Sequence, residues 1–536
     1  MIDHLPQLLS TGTSAAIIEV VIGLLVVIAG VALLAEKLKI PYPILLVLAG
    51  MGIAIVPGLP VVKLAPEYVF LIFLPPLLYY AGILTTWRDF IANIRPISLL
   101  AVGLVAVTTV IVAFTIKLLI PEMPWAAAVA LGAIVSPPDA IAATAICERL
   151  AVPKRITTIL EGESLVNDAT ALVLYKLAIA AAMTGMFPLT DLAWKLPLVG
   201  AGGIAIGLLA AWVSLQVRKR VHEPAIEGTV ALLTPYLAYL PAEWLHCSGV
   251  LAAVAAGVYM SRWLPRVLPA RARLRDGYVW STIVFLMNGL IFVLIGLQLP
   301  GVVTELSQIP AGRLLWWSAI LAGVTIVVRV IWVYGQAGIP RLFSASYRQR
   351  EPMPPTGQLF VIGWAGMRGI VTLAAAMALP VEFPYRNHIV FLSFALILAT
   401  LVLQGLSLGP IIKLLGLGDD GSTVKEEREA RWEATQAALA RLQAMSFAEQ
   451  VPPEVLTRIR ESYDERLTVL SRVHVIDHAG EKDDVTCPIE TLRRVHRETL
   501  EAERRMITFL RDQNVIGDEV LRRIIGEIDL EEAKLA

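Results

Sequence analysis

Cysteine is scarce in this sequence. Its three thiols, Cys147, Cys247 and Cys487, are far apart and never in a Cys-x-x-Cys pair, which excludes a disulfide framework and a zinc site. Charge is scarce too: Asp, Glu, Lys and Arg make up 17% of 536 residues, against about a quarter in a soluble protein. The 45 basic and 45 acidic side chains cancel, so no basic surplus points to nucleic acid. Gly-x-Ser-x-Gly, His-Glu-x-x-His and the P-loop are all missing, so the chain does not read as an enzyme and no cofactor is expected. His474, His478, Cys487 and His496 have irregular spacing and read as surface residues, not metal ligands. The first apolar stretch, from Ala15 to Ala35, has neither basic residues before it nor a small-residue cleavage site after it. It reads as an anchor, not a cleaved signal peptide.

Apolar residues, by contrast, supply 57% of the chain, and the mean hydropathy is +0.69. They concentrate in residues 1–418 as runs long enough to cross a bilayer, roughly 20 residues each. The expected spans are 15–36, 41–58, 66–85, 96–119, 125–148, 156–184, 194–217, 226–241, 245–262, 278–299, 313–338, 356–380 and 387–416, about thirteen crossings. With the N-terminus outside, the loops that must be cytoplasmic carry eighteen Lys and Arg residues and the opposite loops five. A missed helix would invert every later loop, so this bias supports the register. An odd number of spans then places the polar region 419–536 in the cytoplasm, with a bacterial plasma membrane as the expected site. That tail predicts amphipathic helices over Val424–Ser446, Pro453–Val473 and Pro488–Asn514, a short one over Asp518–Leu535, and a polar linker at His478–Thr486.

Ionisable residues inside a span are costly and therefore mark function. Asp139 follows Ser136-Pro137-Pro138 midway along the fifth span. Two successive prolines remove two backbone donors and free the carbonyls near Gly132–Ile134, which at membrane depth must face protein or a water-filled cavity. A plain proline kink is the alternative. The sixth span begins Glu161-Gly-Glu163-Ser164-Leu-Val-Asn167-Asp168. Glu161, Ser164 and Asp168 share one helical face, and Glu163 and Asn167 form an adjoining stripe. Headgroup exposure could account for Glu161 but does not reach Asp168, about two turns deeper. The twelfth span holds Gly363, Gly366 and Gly369 around Arg368, whose fixed charge needs a buried acid. Arg329 lies in an apolar run and suits snorkelling or a structural ion pair. Tyr80, Asn288, Gln298 and Gln404 read as inter-helix hydrogen-bond groups. The interrupted fifth and twelfth spans, each followed by a long helix, hint at an inverted repeat.

Phe73-Leu-Pro-Pro-Leu-Leu-Tyr79, Ser136-Pro-Pro-Asp139, Glu161-to-Asp168 with its Asn-Asp pair, and Gly366-Met-Arg368-Gly369 occur in this order. Together they resemble the bacterial branch of the cation:proton antiporter-1 family, the sodium/proton exchangers, from about residue 15 to 415. The resemblance implies an all-α homodimer with crossed broken helices, a static dimer domain and a moving core domain. It implies Na+ at Asp168, Asp139 and Ser164, with Asn167 beside them, and a structural ion pair between Glu163 and Arg368. Tyr80 stands where some relatives carry a carboxylate, and Pro138 and Ala140 flank Asp139 where relatives differ, so the ligand set on the fifth helix is open.

Competition between Na+ and H+ for one carboxylate is a physical basis for exchange, because metal binding requires deprotonation. The resemblance links this Asn-Asp form to electroneutral 1:1 exchange and implies a part in pH homeostasis and sodium transport. K+/H+ exchange or mixed Na+, K+ and Li+ use is the alternative, since oxygen ligands do not set ion size without geometry. A gated channel and a membrane sensor built around the tail are the readings from other classes.

Overall fold

Runs of Leu, Ile, Val and Ala leave a backbone buried in lipid one local way to pair its N–H and C=O groups, and the chain takes it. A computed structural model describes most of residues 13–418, all but 39–40, 57–68, 185–188, 222, 299–300, 302–305, 307–308 and 344–352, together with 422–448 and parts of 454–532. Among the described residues there are helices and turns and no strand. The chain divides into two compact units, Met1–Asp420 and Gly421–Ala536, close to the change in composition near Gly418.

The first unit starts with α1 (Thr13–Leu38), α2 (Tyr42–Ala54) and α3 (Leu74–Leu84), the last preceded by a π-helical turn at Val69–Phe73. Two short helices, Trp87–Ala92 and Ile94–Ser98, lead through a π segment into α4 (Val105–Leu119). Then come α5 (Trp125–Val135), α6 (Ile141–Arg149), α7 (Lys154–Thr184), α8 (Leu189–Arg220), α9 (Pro224–Trp244), α10 (Gly249–Val267), α11 (Ala270–Leu297) and α12 (Ala311–Phe343). The last elements are α13 (Thr356–Trp364), α14 (Ile370–Met377) and α15 (Arg386–Leu414). Each expected span carries one helix or one broken pair. Among the described residues, seven helical stretches are long and apolar enough to cross a membrane by themselves. In the second unit α16 covers Ser422–Ala448, and helix is also present at 456–464 and 499–510. The expected linker His478–Thr486, with Cys487 and His496, lies outside the described residues.

Two groups of helices make up the first unit. In one, α2 lies along α11 beside α1, and α3 packs on α10 within the bundle of α8, α9 and α10. In the other, α4, α5 and α7 pack together, and α12, α13 and α15 close around them. At one end of the first group Arg218 of α8, 2% exposed, forms ion pairs with Glu227 of α9 and Asp276 of α11, and Arg275 pairs with the same Glu227. Each buried charge has an opposite partner there, the condition under which such groups are tolerated away from water. On the outside, Val110, Phe114, Leu118, Leu209, Trp316 and Ile331 are exposed, as expected of a lipid-facing surface.

The two interruptions touch. Helix α5 stops at Val135 and α6 starts at Ile141, because Pro137 and Pro138 cannot donate to the preceding turn. Helix α13 stops at Trp364 and α14 starts at Ile370. Backbone groups freed by one break are satisfied by the other: the Asp139 amide donates to the Met367 carbonyl at 2.7 Å, and Arg368 Nε donates to the Val135 carbonyl at 2.7 Å. Each broken pair is followed by a long helix, α7 and α15, the pattern the hydropathy suggested.

Candidate functional site

Asp139 stands in the break between α5 and α6. Its Oδ1 accepts from the Ile141 amide at 2.9 Å and so caps the first turn of α6. Its other oxygen lies against Gly369, where any Cβ would run into the Asp139 carboxyl. The glycine is required for close approach, since its φ of −130° is ordinary extended backbone.

Asp168 comes from α7, which passes beside the crossing. It is 7% exposed, and among the described residues no donor lies within hydrogen-bonding distance of its carboxylate. Its open side faces a cavity of about 230 Å³ that Asp139, Ser164, Thr144, Glu161 and Asn288 also line. Three of the four expected cation-site residues, Asp168, Asp139 and Ser164, therefore share one cavity. The fourth, Asn167, is completely buried and turns to the break instead: its amide Nδ2 donates to the Pro138 carbonyl at 2.9 Å, while its Oδ1 has no hydrogen-bond partner among the described residues. Among the described residues no three His, Cys, Asp or Glu side chains form a metal-binding cluster, so a cation here would draw on two carboxylates and neutral oxygens.

One expectation needs correction. Glu163, 1% exposed, does not pair with Arg368; it makes a bidentate ion pair with Arg329 of α12, at 2.5 and 2.7 Å. Arg329 also donates to the Ile362 carbonyl at 3.2 Å. The reason is space and competing acceptors. Gly366 lets Arg329 slide past, since a Cβ there would come within 2.6 Å of Arg329 Cδ. Arg368 is engaged by carbonyls at the two breaks, Val135 and Gly366, each at 2.7 Å. Its charge thus braces the unwound backbone, and the Arg368 amide donates to Thr400 of α15 at 3.1 Å.

Sequence reasoning did not single out Thr144 and Glu148, which line the cavity from α6. Their i, i+4 spacing was the available signal. Tyr80 and Asn288, assigned to inter-helix bonding, also line the cavity, and Tyr80 stacks on Trp280 at 6.1 Å. Lys176 pairs with Glu243 at 3.6 Å on an exposed surface, away from the cavity.

Two unwound helices crossing at membrane depth, beside a buried carboxylate that faces an open cavity, are the architecture of a secondary transporter for small cations. The chain belongs to the sodium/hydrogen exchanger family, whose transmembrane profile matches residues 23–414. A Mycobacterium tuberculosis protein described as an uncharacterised Na+/H+ exchanger is 34% identical over 531 residues, 96% of each chain. A sodium, potassium, lithium and rubidium/H+ antiporter of Bacillus pumilus is 36% identical over 387 residues, 69% of this chain and 57% of that one. The sodium proton antiporter MjNhaP1 of Methanocaldococcus jannaschii shares the fold, with a TM-score of 0.57 at 22% identity, over 74% of this chain and 98% of that structure. The protein is a multi-pass membrane protein of cation/proton exchange.

Proposed function

We propose that the protein exchanges Na+ for H+ across the plasma membrane, one for one, with Asp168 as the carboxylate that holds either ion. The setting of Asp168 carries this reading: a buried carboxylate that lines the cavity and has no donor among the described residues. An unpaired charge in that position is costly. A proton or a cation relieves the cost, and each excludes the other, which couples the two fluxes. Asp139 and Ser164 add oxygen ligands from the break and from one turn before Asp168. Asn167 holds the Pro138 carbonyl, and so the shape of the break, instead of adding a second titrating group. One shared carboxylate moves one charge in each direction and leaves exchange electroneutral.

Alternating access then requires the crossing to move as a body. The division of the first unit into two helix groups supports an elevator-like shift of α4–α7 and α12–α15 against α1–α3 and α8–α11. The same reading takes the protein as a homodimer of thirteen-span subunits, N-terminus outside and tail in the cytoplasm, serving pH homeostasis. A second reading, mixed Na+, K+ and Li+ use, is favoured by the Bacillus pumilus relative's description.

Purified protein in liposomes, given Na+, K+ or Li+ gradients while internal pH is followed, tests this. Proton movement driven by Na+, unchanged when the membrane potential is clamped and lost in Asp168→Asn, is the expected result. Coupling to K+ alone would replace the substrate, and dependence on potential would overturn the 1:1 stoichiometry.

A further inference from the structure

A second cavity, about 900 Å³, lies on the seam between the two helix groups and shares no lining residue with the first. That volume is within the roughly 300–1,000 Å³ range of ligand pockets. Three helical stripes wall it: Ala32, Ala35 and Glu36 on α1; Ala145, Ile146, Arg149 and Leu150 on α6; Leu406, Gly409, Pro410 and Lys413 on α15. Small side chains make the hollow. Its closed end is set by Gly405, which packs so tightly that a Cβ would come within 2.8 Å of Ile44 Cδ1 and 3.3 Å of Met367 Sδ. At Gly409, one turn on, a Cβ would meet nothing nearer than 3.9 Å, so α15 and α6 stand apart there.

The other end is polar. Arg149 and Lys413 reach it from the C-terminal turns of α6 and α15; both are exposed, neither is in an ion pair among the described residues, and Glu36 lines the cavity with them. Leu406, 45% exposed, opens the side of the cavity to the lipid-facing surface. Away from that end the walls are mainly apolar and offer ordered water few of the two to four polar partners it needs. Within a bilayer the matter at hand to fill it is an acyl chain, and two cations against one acid at the polar rim select an anionic headgroup.

We infer that this cavity binds an anionic membrane lipid, with its headgroup phosphate at Arg149 and Lys413 and its chain between α1, α6 and α15. The lipid bridges the static group, through α1 and α2, and the group that carries Asp139 and Asp168. Its occupancy therefore sets how readily the two groups slide. That consequence rests on the elevator reading; the binding does not.

Native mass spectrometry of the full-length protein, supplied with phosphatidylglycerol or phosphatidylcholine, reads binding without transport. The wild type should retain phosphatidylglycerol in preference. Arg149→Gln/Lys413→Gln should lose that preference by at least about tenfold, and Gly409→Phe, which fills the hollow and leaves both charges, should lose the retained lipid of either kind. Equal retention of phosphatidylglycerol in the wild type and all variants would overturn the site, and equal retention of both lipids by the wild type would overturn its anionic character. In vesicles with and without phosphatidylglycerol, wild-type exchange should change with composition and the variants should not. A protein that binds the lipid but exchanges nothing would contradict the exchanger reading and leave the lipid site standing.

Discussion

Asn167 donates its side-chain amide to the Pro138 carbonyl at 2.9 Å, so the residue beside Asp168 is fastened to the backbone break that presents Asp139. The bond is fully buried and joins α7 to the α5–α6 interruption. It fixes how the two carboxylates approach one cavity, and it assigns Asn167 a donor's task.

Replacing that donor tests the assignment. Asn167→Ala leaves the Pro138 carbonyl buried and unpaired, which costs about 1–3 kcal/mol; exchange should fall with a matching loss in thermal stability. Asn167→Asp keeps the shape but donates only when protonated. Its activity should therefore be retained best at low pH and decline as pH rises through the titration of the new acid. A profile parallel to wild type would contradict the donor role.

Glu163 and Arg329 should behave as a unit. Either Glu163→Gln or Arg329→Met strands a buried charge and should destabilise by about 3–5 kcal/mol, while the double variant recovers much of that loss. Thermal unfolding in detergent gives the coupling energy. Glu163→Gln combined with Arg368→Met should show far weaker coupling, because Arg368 is bound to carbonyls. Strong coupling there would restore the pairing expected from the sequence.

Gly369→Ala places a methyl group against the Asp139 carboxylate. Exchange should be lost or nearly so while the protein still folds into the membrane. Gly312→Ala, where a Cβ meets nothing within 4 Å, is the control and should retain activity. Equal activity in the two variants would show that Asp139 tolerates displacement.

Much of this arrangement is legible in the chain. Pro137-Pro138 and Gly366-to-Gly369 interrupt apolar runs: the prolines remove backbone donors and the glycines permit unwinding. The face shared by Glu161, Ser164 and Asp168 is helical arithmetic, and all three line one cavity. The partner of Glu163 was not legible. Two arginines, Arg329 and Arg368, sit in apolar runs, and which of them reaches the acid depends on how α12 crosses α13, a tertiary fact without periodicity. Thr144 and Glu148 were hidden for a related reason: the face of the short helix after the break becomes meaningful only once α6 packs on α7 and shares a cavity with α3. The hollow at Arg149 and Lys413 was equally invisible, since three separate helices make it.

The proposed exchange depends on one carboxylate, Asp168, holding either Na+ or a proton. Isothermal titration of purified protein with Na+, repeated in buffers of different ionisation enthalpy, counts the protons released per ion bound. The expected result is about one proton per Na+, binding that weakens as pH falls, and no Na+-linked proton release in Asp168→Asn. Na+ binding without proton release, or release that persists in Asp168→Asn, would contradict it.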